Sequence, residues 1–279
     1  MSHLFLGLDP ALDKFPHPYI DGLDVKSWGE DVINACLGKI KGVKFQSAYF
    51  ENMGLHGLTA LSHLIKYAKN QGLITIMDAK RGDIGSTSTA YAEAYLSSKN
   101  AIGTDDFCCD YLTVNPLMGE DCLAPFIEIA LAHKKGLFIL LEASNPGATM
   151  ILKETTIHGQ SVNVKIADYI SSVTKRLTLM NNEMSPIGCV IGATNSDVAH
   201  WREKLPRSIF LMPGIGAQGG GWNSVKACLT SSGDGVWVPI SRGITEVKPQ
   251  ISSKSDYLNQ VKENVSLHFE TMQRELCFG

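Results

Sequence analysis

The chain has 279 residues, 44% of them hydrophobic and 19% charged, and a net charge of −3. That length and apolar content suit one large α/β core, and no apolar run approaches the roughly 18–20 residues that cross a bilayer. The slightly acidic balance excludes a general nucleic-acid surface but leaves room for a locally positive anion pocket. The N-terminal MSHLFLGLDPALDK has no basic n-region and no long apolar h-region, so no secretory signal is expected. Seven cysteines without CxxC spacing read as reduced thiols, and the expected location is cytoplasmic.

Taken in chain order, strand-like apolar runs recur at Leu4–Leu8, Val43–Phe45, Leu73–Met77, Tyr111–Val114, Leu137–Leu141, Ile187–Ile191, Ile209–Met212 and Val236–Ile240. Helical patterns follow them, near Val25–Lys39, Leu55–Gln71, Ser86–Leu96, Asp121–His133, Val164–Leu179, Asp197–Lys204, Asn223–Leu229 and Ser255–Leu276. Eight strand–helix units predict a single (β/α)₈ barrel domain over residues 1–279, with a doubly wound open sheet as the structural alternative.

In such a barrel the active site gathers where the strands end. The first strand ends at Asp9, with Phe5, Gly7 and Asp9 on one face, read as small or polar residues pointing inward. The second carries Lys44, then Gln46 and Ser47. The third ends in Asp78, Lys80, Arg81 and Asp83. Alternation puts Ile74, Ile76, Asp78 and Lys80 on one face, and Ser86 or Thr87 can cap the helix that follows. The fourth ends in Asn115–Pro116. The fifth runs into Glu142, Ala143, Ser144, Asn145, Pro146 and Gly147. From there Asn145–Asn163 is the longest irregular stretch and reads as an extended loop or lid. The sixth gives Ala193–Thr194–Asn195. The seventh enters a glycine-rich loop, Pro213 to Gly221, and the eighth ends at Ser241–Arg242–Gly243. Free backbone N–H groups in that glycine loop, the helix start near Asn223 and the Arg242 guanidinium together predict a phosphate site.

Each strand end has a plainer reading: Asp9–Pro10 and Asn115–Pro116 as turns, Lys44 as a surface lysine, the third as a solvated charged loop. Their joint occurrence at eight consecutive strand ends favours a site. No histidine falls at a strand end, and no HExxH, GxSxG or early GxGxxG appears. This argues against a histidine metal centre, a serine hydrolase or a dinucleotide fold.

DAKRGD at Asp78–Asp83, followed by IGST, resembles the D-x-K-x-x-D signature of the orotidine 5′-phosphate decarboxylase family. GLDP at Gly7–Pro10, VKFQSAYFE at Val43–Glu51, TVNPLMGED at Thr113–Asp121, EASNPGA at Glu142–Ala148, PGIGAQGG at Pro213–Gly220 and SRGI at Ser241–Ile244 extend the likeness over nearly the whole chain. It is closest to the longer, bacterial branch called type 2, although Phe45 and Tyr49 stand where that branch commonly has proline and phenylalanine. The segment Thr149–Gln160 matches nothing assigned in the family.

The resemblance implies a decarboxylase that turns orotidine 5′-monophosphate into UMP and CO₂ in pyrimidine synthesis, without metal or organic cofactor. By the same resemblance Lys44, Asp78, Lys80 and Asp83 form the catalytic charge network, with Lys80 protonating C6 and Asp78 and Asp83 holding it. Asp9 and Lys44 bind the ribose hydroxyls, Ser144 the pyrimidine edge, and Gln218 and Arg242 the phosphate. Asn145, Pro213 and Gly219 complete the substrate-binding set. Asp83 and Thr87 reach into the neighbouring subunit's site, which implies a homodimer with shared active sites and no nucleic-acid or membrane partner.

The alternatives are a metal-dependent sugar-phosphate decarboxylase or synthase on the same barrel, a Schiff-base aldolase using Lys80, and a non-catalytic phosphate-binding barrel. The first should carry a further acidic ligand where this chain has Lys44. The second needs a neutral lysine, which flanking aspartates oppose.

Overall fold

The computed structural model describes residues 2–177, 183–195, 198–216, 219–247, 251 and 253–276. Its eight strands are β1 (Leu4–Leu8), β2 (Gly42–Gln46), β3 (Ile74–Arg81), β4 (Tyr111–Val114), β5 (Gly136–Glu142), β6 (Ser185–Ile191), β7 (Ser208–Leu211) and β8 (Val236–Ile240). Each pairs in parallel with the next, and β8 pairs with β1, so the sheet closes into a barrel. The open-sheet alternative is thereby set aside.

The helices are α1 (Val25–Cys36), α2 (Ser47–Glu51), α3 (Gly54–Asn70), α4 (Gly85–Leu96), α5 (Glu120–Ala132), α6 (Val162–Arg176), α7 (Val198–Lys204), α8 (Trp222–Ala227), α9 (Arg242–Thr245) and α10 (Lys254–Leu276). Each predicted strand and helix has its counterpart here. The short α2 and α9, which follow the ends of β2 and β8, were not expected from periodicity. One turn is too short to show any.

Two apolar compartments divide the molecule. The larger lies between strands and helices, where outward leucines such as Leu4, Leu6 and Leu8 meet the inner faces of the helices. The smaller fills the barrel with Phe5, Ile76, Phe138, Val190, Ile209, Leu211 and Trp237. Its rings interlock: Phe5 stacks on Trp237 at 4.8 Å between centroids, and Tyr111 meets Phe138 at 5.0 Å and Trp237 at 4.8 Å. Phe5 therefore departs from the expectation of small inward residues on the first strand. It is accommodated because β2 carries glycine opposite: a β-carbon on Gly42 would stand 2.4 Å from the Phe5 ring. This aromatic floor packs the barrel interior, as close packing of inward layers requires.

Strand β3 runs four residues past its expected end and is irregular there. The β3–β4 register shifts between Met77 and Arg81, and Lys80 adopts φ +45°. Lys80 still shares the cleft with Asp78, as alternation leads one to expect, but it does so through an irregular backbone. A non-glycine residue in this left-handed region costs about 1–2 kcal/mol, and such strain gathers at functional sites. The following helix begins at Gly85 after Ile84, with no side-chain cap. Ser86 and Thr87, expected as caps, are instead exposed helical residues, and Asp83 supplies the turn: its Oδ1 accepts from the Ile84 N–H at 2.8 Å.

Candidate active site

A cleft of about 310 Å³ opens above the barrel floor, lined by residues from the C-terminal ends of β1, β2, β3, β5, β6, β7 and β8. Four charged side chains cross it in alternating sign. Lys44 Nζ lies 3.4 Å from Asp9 Oδ1 and 3.3 Å from Asp78 Oδ2, and Lys80 Nζ lies 2.6 Å from Asp78 Oδ1. Asp78 thus binds one ammonium on each oxygen. Lys44 and Asp78 are buried, whereas the Lys80 side chain is 40% exposed and borders the open cleft. The left-handed turn at Lys80 and a hydrogen bond from its N–H to Thr113 Oγ1 (2.9 Å) bring its side chain back over Asp78.

Neutral groups complete the network. Thr113 Oγ1 donates to Asp78 Oδ1 at 2.9 Å, Lys44 Nζ donates to Gln46 Oε1 at 3.0 Å, and Gln46 Nε2 donates to the Asp78 carbonyl at 3.2 Å. Gln46 was expected as a polar residue at its strand end but without a role, and Thr113 was not among the expected site residues. The signal for Thr113 was a polar side chain on the inward face of β4, which an apolar strand has no packing reason to keep.

The electrostatics follow from this geometry. Burial pushes the Asp78 carboxyl up, but the Lys44 and Lys80 ammonium groups and the donors Lys80 and Thr113 outweigh it and hold it down to about 2. Burial likewise opposes the Lys44 charge, yet the Asp9 and Asp78 carboxylates raise it above the usual lysine range. A depressed carboxyl contributes stability above its unfolded value near about 3.9, lost as pH falls toward 2. A raised lysine contributes below about 10.4, lost only as pH rises beyond it. Both shares are therefore present from about pH 4 to 10.

We expect Asp78→Asn to be destabilised by about 3 kcal/mol at pH 7, because it leaves Lys44 buried with one carboxylate. The gap to the unsubstituted protein should narrow between pH 4 and 2. Denaturant titrations at pH 7 and pH 2.5 measure it, and a gap independent of pH would contradict the pairing.

The remaining expected residues divide. Ser144, Asn145, Pro213 and Arg242 line the cleft with Asp9, Lys44, Asp78 and Lys80. Ser144 is held close to β6, because a β-carbon on Gly192 would stand 2.8 Å from its Cβ. Gly219 lies in the loop after β7 with φ +85°, outside the cleft lining, and Gln218 lies outside the described residues. Asp83 and Thr87 do not line the cleft, and Asp83 forms no ion pair with Lys80 among the described residues. Among the described residues of one chain, then, the Lys80 ammonium pairs with Asp78 alone.

Arg81, the remaining charge of the DAKRGD run, points away from the site. It pairs with Glu51 on α2, donates to Tyr95 Oη at 3.1 Å and stacks over Tyr91 and Tyr95, tying β3 to its flanking helices. Glu142, at the end of β5, is buried in the cleft wall between Trp201 Nε1 (2.8 Å) and Lys153 Nζ (3.1 Å). Lys153 belongs to the segment that no motif explained, and its ion pair fastens that loop beside the cleft.

A model of the family described as orotidine 5′-phosphate decarboxylase / HUMPS matches residues 3–252. An orotidine 5′-phosphate decarboxylase of Rhodopirellula baltica is 37% identical over 250 residues, 86% of this chain and 82% of that protein. One from Caldicellulosiruptor saccharolyticus is 34% identical over 287 aligned residues, 95% of this chain and 93% of that protein. Among solved structures, one named as an orotidine 5′-phosphate decarboxylase from Streptomyces avermitilis superposes with a TM-score of 0.82 at 27% identity. The match covers 99% of this chain and 92% of that one.

Proposed function

The chain belongs to the orotidine 5′-phosphate decarboxylase / HUMPS family, and from that premise we propose that it converts orotidine 5′-monophosphate to UMP and CO₂ with its own side chains alone. It is a carboxy-lyase of pyrimidine synthesis. The observation that carries the mechanism is the alternating row Asp9, Lys44, Asp78, Lys80 across the cleft.

In the reaction the bond from C6 of the pyrimidine to its carboxylate breaks heterolytically, CO₂ leaves, and the electron pair remains on C6. An ammonium fixed beside that carbon stabilises the charge as it develops, because it needs no reorganisation when the charge appears. The Lys80 ammonium then gives a proton to C6, forming UMP, and recovers one from water. Asp78 holds the Lys80 ammonium in place, and Lys44 keeps Asp78 ionised despite its burial. Asp9 and Lys44 bind the ribose hydroxyls, Ser144 and Asn145 the pyrimidine edge, and Arg242, with Gln218, Pro213 and Gly219, the phosphate. Phosphate binding, remote from C6, supplies energy for positioning the reacting carbon.

The metal-dependent branch of the barrel suprafamily fits this site poorly. The place between the Asp9 and Asp78 carboxylates is taken by a covalently attached cation, Lys44 Nζ, within 3.4 Å of both. A metal there would meet an ammonium in place of an acidic ligand.

Asp83 and Thr87 complete the site of a second copy in this reading, and the protein acts as a homodimer. The exposed Ile84 beside Asp83, and the exposed Leu117 and Met118 that follow β4, support it as apolar side chains that a second copy would cover. The six described cysteines are free and buried, which suits a reducing, cytoplasmic setting. No helix among the described residues is long and apolar enough to cross a membrane.

Substrate labelled at the carboxylate tests the reaction. Purified protein should release the label as CO₂ and leave UMP as the other product. Label retained in the nucleotide would refute the assignment.

A further inference from the structure

Helix α9 is a single turn, so it satisfies few of its own backbone groups. Side chains of α10 supply the partners. Tyr257 Oη donates to the Thr245 carbonyl at 3.1 Å, and Asn264 Nδ2 donates to the Ile244 and Glu246 carbonyls at 3.1 and 3.2 Å. His268 packs against the Gly243 backbone, so closely that a β-carbon on Gly243 would stand 2.6 Å from its Nε2.

The donors are themselves fixed. Gln260 Nε2 donates to Asn264 Oδ1 at 3.2 Å, which turns the Asn264 amino group toward α9. Trp28 Nε1 on α1 donates to Tyr257 Oη at 2.8 Å. The four residues from Gly243 to Glu246 are thus all held from outside the barrel. Arg242, which opens the turn, lines the cleft, and among the described residues its guanidinium has no hydrogen bond or ion pair. Helix α10 also lies beyond residue 252, where the family match ends.

We infer that α10 is part of the phosphate grip, with Asn264 as a positioning residue: by holding α9 rigid, it fixes where Arg242 meets the nucleotide's anionic group. This rests on the reading of Arg242 as a phosphate contact. A long, unpaired guanidinium gains from a fixed base, since ordering its backbone in advance removes a cost from binding.

A double-mutant cycle separates this from simple structural support. Titration calorimetry would compare UMP with uridine, which lacks the phosphate, for Asn264→Leu, Arg242→Ala and the double variant. Asn264→Leu keeps the side chain's approximate size and removes its donors. It should weaken UMP binding about tenfold, the scale of one or two lost hydrogen bonds, and leave uridine binding unchanged. In the Arg242→Ala background it should cost less than about twofold. If the leucine variant does not fold, Asn264→Ala enters the same cycle. Unchanged UMP affinity in Asn264→Leu, with Arg242→Ala impaired, would overturn the inference and leave the phosphate reading standing. Loss shared by uridine, or additive with Arg242→Ala, would reduce α10 to structural support and overturn it as well. Unchanged UMP affinity in Arg242→Ala would remove the phosphate reading itself, and the inference with it.

Discussion

Replacing Lys80 by alanine is expected to lower kcat on orotidine 5′-monophosphate by on the order of 10⁴-fold or more, because it removes both the charge facing C6 and the proton donor. The fold should survive. The Lys80 side chain is 40% exposed, its backbone bond to Thr113 does not depend on the side chain, and Asp78 keeps Lys44 and Thr113 as partners. Lys80→Gly should be as inactive as Lys80→Ala and melt higher, since glycine adopts φ +45° without the strain a β-carbon carries there. That pairing of lost activity with gained stability would identify the left-handed turn as strain kept for function. Steady-state kinetics and thermal melts of the two variants check it. Retention of more than a few per cent of activity would remove Lys80 from the proton-donor role.

Inactive Lys80→Ala and Asp83→Asn chains should recover activity when mixed. Among the described residues of one chain Asp83 has no ion pair with Lys80 and does not line the cleft, yet it sits beside the exposed Ile84. If each site takes Lys80 from one subunit and Asp83 from its partner, a mixed dimer holds one fully native site and one doubly altered site. Random exchange of equal amounts then gives about a quarter of the unsubstituted activity, by the two-fold symmetry of the interface. Refolding a mixture measures this, and the mixed dimer isolated by two affinity tags should show about half of the unsubstituted activity. Verified mixed dimers with no recovery would place Asp83 outside the partner's site.

The barrel was legible because eight apolar runs alternate with eight amphipathic ones, and each strand end carries a polar residue that packing alone does not require. Asp9, Lys44 and Asp78 could be aligned from strand alternation alone. Lys80 falls on the same face, but the register shift and φ +45° that bring it onto Asp78 are properties of the β3–β4 pairing, which one strand's pattern does not contain. Arg81, on the opposite face by the same alternation, turns to the flanking helices although it is a neighbour of the cluster in sequence. Thr113 and Gln46 were obscured by chemistry that is common on any strand. Their role appears only when Asp78 is seen to need a donor on its carboxylate and another on its carbonyl. Phe5 was misjudged because the glycine that makes room for it is on another strand. The long segment after β5 became partly intelligible through Lys153, whose partner Glu142 stands at the strand end. The clamp of α10 on α9 joins residues some twenty positions apart and leaves no periodic trace.

The most direct measurement of the whole account is the ultraviolet absorbance of orotidine 5′-monophosphate mixed with the purified protein, followed with and without EDTA. Decarboxylation by Asp78, Lys80 and their partners alone predicts loss of the substrate band at the same rate in both. Activity abolished by EDTA would contradict it and move the chain toward the metal-dependent members of the suprafamily. An unchanged band in both would contradict the decarboxylase assignment itself.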